Sequence, residues 1–176
     1  MIGLNVLFWI LVILFAFIGM NRGWAKELLV TFSVILALFI IMVLEHYVPF
    51  IRDNLITGQA QFWFRFAIVM GSVFFGYQTP NLPRLAATNR FVRERLQDSL
   101  LGIFLGALNG FMIFGTLLYY MSSANYPFSF IAKPPSGPIA DAIIRLIPFM
   151  PPNWLGIPTV YFAVALAFGF VLVVFI

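Results

Sequence analysis

LLGIFLGALNGFMIFGTLLYYM, residues 100–121, is the stretch that decides the fold. It carries no charged residue, and it is long enough to cross a bilayer as a helix. A hydrocarbon core of about 30 Å takes about 20 apolar residues. Within it Gly102, Gly106 and Gly110 recur at every fourth position, with Gly115 and Thr116 beyond. At about 100° per residue the three glycines drift slowly along one helix face. Their missing side chains leave a groove in which another backbone can lie. Lipid tails are as apolar as leucine, so helices in a bilayer associate through close packing of this kind rather than through a hydrophobic force.

Outward from this run the sequence holds four more apolar stretches, Ile2–Met20, Trp24–Leu44, Phe62–Tyr77 and Thr159–Ile176. The expected fold is therefore all-α, a polytopic transmembrane helix bundle of about five spans. Residues 1–176 form a single domain with short interfacial amphipathic helices and a Pro-rich outer loop over 122–158. Composition agrees, with 62% hydrophobic and 9% charged residues, against about 25% charged in a soluble domain. No Lys or Arg precedes the first run and no small-x-small cleavage pattern follows it, so it reads as a retained span rather than a signal peptide.

Six acids, one His and no Cys exclude most metal, haem-thiolate and disulfide frameworks. No cofactor and no metal are expected. His46, beside Glu45 at a membrane edge, is a weak candidate pigment ligand, a surface imidazole being the commoner state. The net charge of +4 lies in loops beside the spans, where it serves orientation and anionic-lipid contact rather than nucleic-acid binding. Arg22, Lys26, Arg84, Arg90, Arg93 and Arg95 fall on one side and are the expected lipid and interface contacts. Arg52, Lys133 and Arg145 fall on the other, with Arg65 just inside the third run. The positive-inside bias then puts the N-terminus outside and the C-terminus in the cytoplasm.

Only Asn21-Arg22-Gly23 separates the first two spans, which predicts a tight antiparallel hairpin with Gly23 at positive φ. Lys26 and Glu27 follow in the first turn of span two, where a carboxylate suits the helix N-terminus and the lysine reaches headgroups. Arg65 is expected to snorkel outward as an interfacial anchor. From Arg84 to Gln97 the pattern is that of a short basic amphipathic helix leading into span four. In the outer loop one helix fits between Gly137 and Pro148, with Pro138 at its first position and Asp141 paired with Arg145. The groove on span four has candidate partners in span one (Gly3, Ala16, Gly19) and span three (Gly71, Ser72, Gly76). Packing within the chain and docking to another subunit both remain open.

The Arg22-Gly23 turn followed by Lys26-Glu27 resembles the first signature of the colicin V production protein (CvpA) family. Asp98, Leu101-Gly102, Gly106-Ala107 and Gly110 resemble its second, an acid followed by Leu-Gly and a glycine ladder. The resemblance covers about residues 1–150. It implies a bacterial inner-membrane protein linked to colicin production, secretion or envelope maintenance, with no defined biochemical activity. Asn5 stands where that family has an acid, Asn109 where it has a basic residue, and the fifth span is extra. The missing acid and base argue against a proton- or ion-coupled role.

The centres of the spans hold nothing ionisable; Thr31, Ser33, Ser72, Asn109 and Thr116 are the polar groups there. The chain is accordingly expected to be a non-enzymatic scaffold or accessory subunit of an inner-membrane assembly, meeting lipids and other membrane subunits. The second reading is a small-solute channel or transporter, as a homo-oligomer.

Overall fold

A computed structural model describes residues 3–54, 58–78, 92–128 and 137–175. Every regular element in these segments is helical: α1 (Leu4–Arg22), α2 (Trp24–Tyr47), α3 (Pro49–Asn54), α4 (Gln59–Tyr77), α5 (Val92–Ser123), α6 (Pro138–Leu146), a 3-10 turn (Ile147–Phe149), α7 (Pro151–Trp154) and α8 (Thr159–Phe175). Among the described residues three helices are long and apolar enough to cross a membrane, namely α1, α2 and the Leu96–Ser123 part of α5. The Thr159–Val173 part of α8 is apolar but shorter. The first turns of α4 carry Gln59, Gln61 and Arg65, which dilutes its apolar character. All-α architecture and membrane character thus stand as read from the sequence.

The helix boundaries shift from the expected runs for local reasons. Val92 onward continues straight into α5, so this part of the expected surface helix is the first two turns of the longest helix. Arg84 and Arg90 lie outside the described residues, as do the side chains of Arg93 and Arg95. The expected helix after Gly137 is present as α6, with Pro138 in its first turn. The expected Asp141–Arg145 pair does not form; among the described residues no ion pair joins these two exposed side chains. Two short helices opened by proline, α3 and α7, went unread because each is barely a turn or two long.

α2 is the central element. Its Val30, Val34, Ala37 and Leu38 are fully buried, and with Ile41 they meet Val69 and Val73 of α4, Met112 and Ile113 of α5, and Val160 of α8. α1 packs along α5 on the other side. A smaller cluster of Phe8, Val12, Leu118 and Met150 closes the end where α1 begins. The outer surface is the reverse of a soluble protein's. Phe17, Phe75, Phe162, Leu166 and Val173 are all more than half exposed. A continuous apolar exterior of this size needs lipid as its solvent.

Candidate functional site

The glycine ladder is filled from within the chain. A side chain at Gly19 would run into the carbonyl oxygen of Gly102, and one at Gly102 would run into the carbonyl oxygen of Gly19. Each carbonyl therefore lies along the other residue's Cα–H direction, a reciprocal pair of Cα–H···O contacts worth about 0.5–1 kcal/mol each. At Gly106 the blocking atoms are the Phe15 carbonyl and the Gly19 Cα, and at Gly110 they are Phe15 Cβ and Val12 Cα. A Cβ on Gly115 would fall 2.7 Å from Sδ of Met150, so the last glycine seats the segment before α7. Of the span-three candidates, Gly76 packs on Ser33 and Val30 of α2, while a Cβ on Gly71 would point into open space.

With α1 pressed onto α5, the turn between α1 and α2 lands on Asp98. Gly23 has φ 84° and no side chain to cap α2. Asp98 of α5 supplies the missing acceptor: the Trp24 backbone N–H donates to its Oδ1 at 3.2 Å. A Cβ at Gly23 would sit 2.8 Å from the Asp98 carboxylate, so glycine is required by both conformation and space.

One turn further along, Glu27 leaves the helix surface and enters the bundle. Its side chain is 0% exposed. Expected only to suit the helix N-terminus, this first-turn carboxylate is instead enclosed, because α4 and α5 close over it. Asn109, in the middle of the apolar 100–121 stretch, donates through Nδ2 to Glu27 Oε2 and to the Glu27 carbonyl, both at 2.8 Å. Asn109 Oδ1 in turn accepts from the Thr31 hydroxyl at 2.7 Å. The Tyr77 hydroxyl reaches Glu27 Oε2 at 3.4 Å, a weak bond. Glu27 Oε1 faces Arg22 Nε at 3.3 Å, yet it accepts no aligned hydrogen bond. The contact is thus Coulombic rather than a directed bond.

Arg22 is the last residue of α1 and lies 4.2 Å over the Tyr77 ring, with a terminal nitrogen 3.4 Å from the Tyr77 carbonyl. It therefore places a cation at the C-terminal end of α4, the favourable end of that helix's dipole, and stacks on an aromatic face as guanidinium does. This side chain, expected at lipid headgroups, is turned inward. Lys26 stays at the surface of α2, half-buried.

A second acid–arginine pair holds the far end of α2. Arg65 of α4 grips Glu45 with two bonds, Nε to Oε1 at 2.7 Å and a terminal nitrogen to Oε2 at 2.9 Å. Its guanidinium also lies 4.6 Å over the Tyr120 ring of α5. Arg65 does not snorkel; it is bound. Glu27 and Glu45 are separated along α2 by about 27 Å at 1.5 Å per residue, close to a hydrocarbon thickness of about 30 Å. The central helix is pinned to α1 at one border and to α4 at the other.

The chain matches no family model, no curated protein and no solved structure. His46 is exposed at the end of α2, its ring edge-on to Tyr47. Among the described residues no three His, Cys, Asp or Glu side chains gather as a metal would require. Concavities between described residues include two of ligand size. One, of about 360 Å³, lies between α2, α4 and α8 and is lined almost wholly by apolar groups including Phe32, Phe75 and Phe168, with Ser33 the polar member. The other, of about 480 Å³, lies between the start of α1 and α6.

Asn109 and Thr31 stand out in the sequence as polar groups within apolar runs, but their neighbours Glu27 and Tyr77 do not, nor do Glu45 and Tyr120 as the neighbours of Arg65. One signal was available. Arg22 and Glu27 sit five apart across a glycine turn, a spacing that folds a cation back over an acid.

Proposed function

We propose that this chain is a non-enzymatic integral membrane protein of CvpA type. Its role is that of a scaffold or accessory subunit in a bacterial inner-membrane assembly, respiratory, photosynthetic or secretion-related, or in envelope maintenance. Its N-terminus faces outward and its C-terminus the cytoplasm. The observation that carries this reading is how the polar groups are used. Arg22, Glu27, Thr31, Tyr77 and Asn109 come from four helices and bond to one another. Glu27 itself is fully enclosed. Buried ionic groups of this sort fix one arrangement of helices more than they add stability. A rigid bundle with an apolar exterior and a cross-linked interior suits a part that others assemble around. Of the residues on which the family resemblance rests, Arg22 meets Glu27, Asp98 meets the Gly23 turn, and the ladder glycines seat α1 on α5.

Isolation from native membranes in a mild detergent tests the reading. The expected result is a stable complex containing further membrane subunits; migration as a lone monomer overturns it.

One observation favours the second reading, a small-solute channel or transporter. Glu27 Oε1 and Thr116 Oγ1 are both buried without a hydrogen-bond partner, and an ionisable residue inside a membrane is the usual mark of an ion pathway. Flux into proteoliposomes that is lost in Glu27→Gln, with the fold retained, would promote that reading over the first.

A further inference from the structure

We propose that the cavity between the start of α1 and α6 binds the headgroup of a zwitterionic phospholipid with a primary ammonium, the phosphoethanolamine class. The cavity, of about 480 Å³, is lined by Asn5 and Trp9 of α1 and by Pro138, Asp141, Ala142, Arg145 and Leu146 of α6. This is within the size range of small-molecule sites, about 300–1,000 Å³. Its depth suits a headgroup. Asn5 is in the first turn of a helix long and apolar enough to span, and Trp9 is one turn deeper. The first turn of such a helix lies at the membrane–water border, where tryptophan is enriched.

The charges argue for the ligand class. Asp141 and Arg145 stand one turn apart on α6, both exposed, and the side chain of neither makes an ion pair or hydrogen bond with the described residues. Opposite charges at this spacing pair readily on an isolated helix; here they are held apart across a concave wall. The site therefore offers a cation and an anion beside an aromatic ring.

A headgroup bearing a phosphate and an N–H-donating ammonium satisfies both. The Arg145 guanidinium takes the phosphate by charge-assisted bonds. Asp141 receives the ammonium protons. A choline headgroup has the cation but no N–H to donate, leaving Asp141 without a hydrogen bond. A glycerol headgroup has a net negative charge and meets Asp141 with no cation to offset it. The α6 helix anchors the site from below: Ile143, two residues after Asp141, is buried.

The test is native mass spectrometry of the whole protein titrated with phosphatidylethanolamine, phosphatidylcholine and phosphatidylglycerol of identical acyl chains. Phosphatidylethanolamine should be retained about tenfold over either of the others, the effect of one charge-assisted bond. Asp141→Asn should abolish the preference over phosphatidylglycerol, and Arg145→Gln should lower retention of both. Both side chains are exposed and unbonded, so the variants should fold, which circular dichroism and gel filtration check. Equal retention of the three lipids by the parent protein overturns the proposal, as does a preference that neither substitution changes. A photoreactive residue at Ala142, activated in native membranes, should yield a lipid adduct; an adduct to a protein chain would instead assign the cavity to a subunit.

Discussion

Removing Arg22 should harm the protein more than removing Glu27, although the two form one pair. The Glu27 side chain is 0% exposed and the Arg22 side chain 20% exposed. Arg22→Gln leaves a carboxylate sealed in the bundle with no cation. Breaking a buried pair from this side costs about 3–5 kcal/mol. Glu27→Gln instead leaves an arginine at the end of α1 that keeps the Tyr77 ring and carbonyl and can extend its head toward water. The new amide oxygen can still accept from Asn109. Loss of the charge-assisted bonds then costs about 1–2 kcal/mol. The double substitution strands nothing and should resemble Glu27→Gln alone, giving a coupling of about 3–5 kcal/mol. The assay is reversible unfolding in mixed micelles of mild detergent and dodecyl sulfate, comparing parent, two single variants and the double variant. If Arg22→Gln is no worse than Glu27→Gln, or if the two losses simply add, the enclosed carboxylate is not held by Arg22 and the reasoning fails.

Further outcomes follow from the same packing. Gly106→Leu places a side chain against the Phe15 carbonyl and Gly19 Cα, so stability should fall by about 3 kcal/mol, read out as a loss of folded yield. Gly71→Leu, facing open space, should leave unfolding unchanged, and the two together separate internal from external glycine faces. Asn109→Leu removes the donor to Glu27 and the acceptor of Thr31 and should cost about 1–2 kcal/mol in the same micelle assay. Arg65→Lys should not restore Arg65→Gln, because a single ammonium cannot reproduce the two-pronged grip on Glu45; thermal unfolding of both variants reads this out.

The solvent of this protein was legible from its linear order. Runs of apolar residues long enough to span, a charge content of 9% and the glycines at 102, 106 and 110 need no long-range information, because hydropathy and helical period are properties of neighbouring residues. The hairpin at Gly23 belongs to the same class: its turn is set by a residue that tolerates φ 84°. The partner of the ladder was a different matter. Span one and span three both offered small residues, and only the fold chose the Gly19 face of α1 and left Gly71 open.

The polar junction lay further still from what the sequence determined by itself. Glu27 stands in a first helical turn beside Lys26, a position that reads as a solvated, dipole-matched carboxylate. Its burial comes from Asn109, which is 82 residues away, and from Tyr77, which is 50 residues away. No local pattern encodes such distant neighbours. Whether a charge is screened by water or sealed among helices depends on what packs over it, and tertiary structure alone decided that.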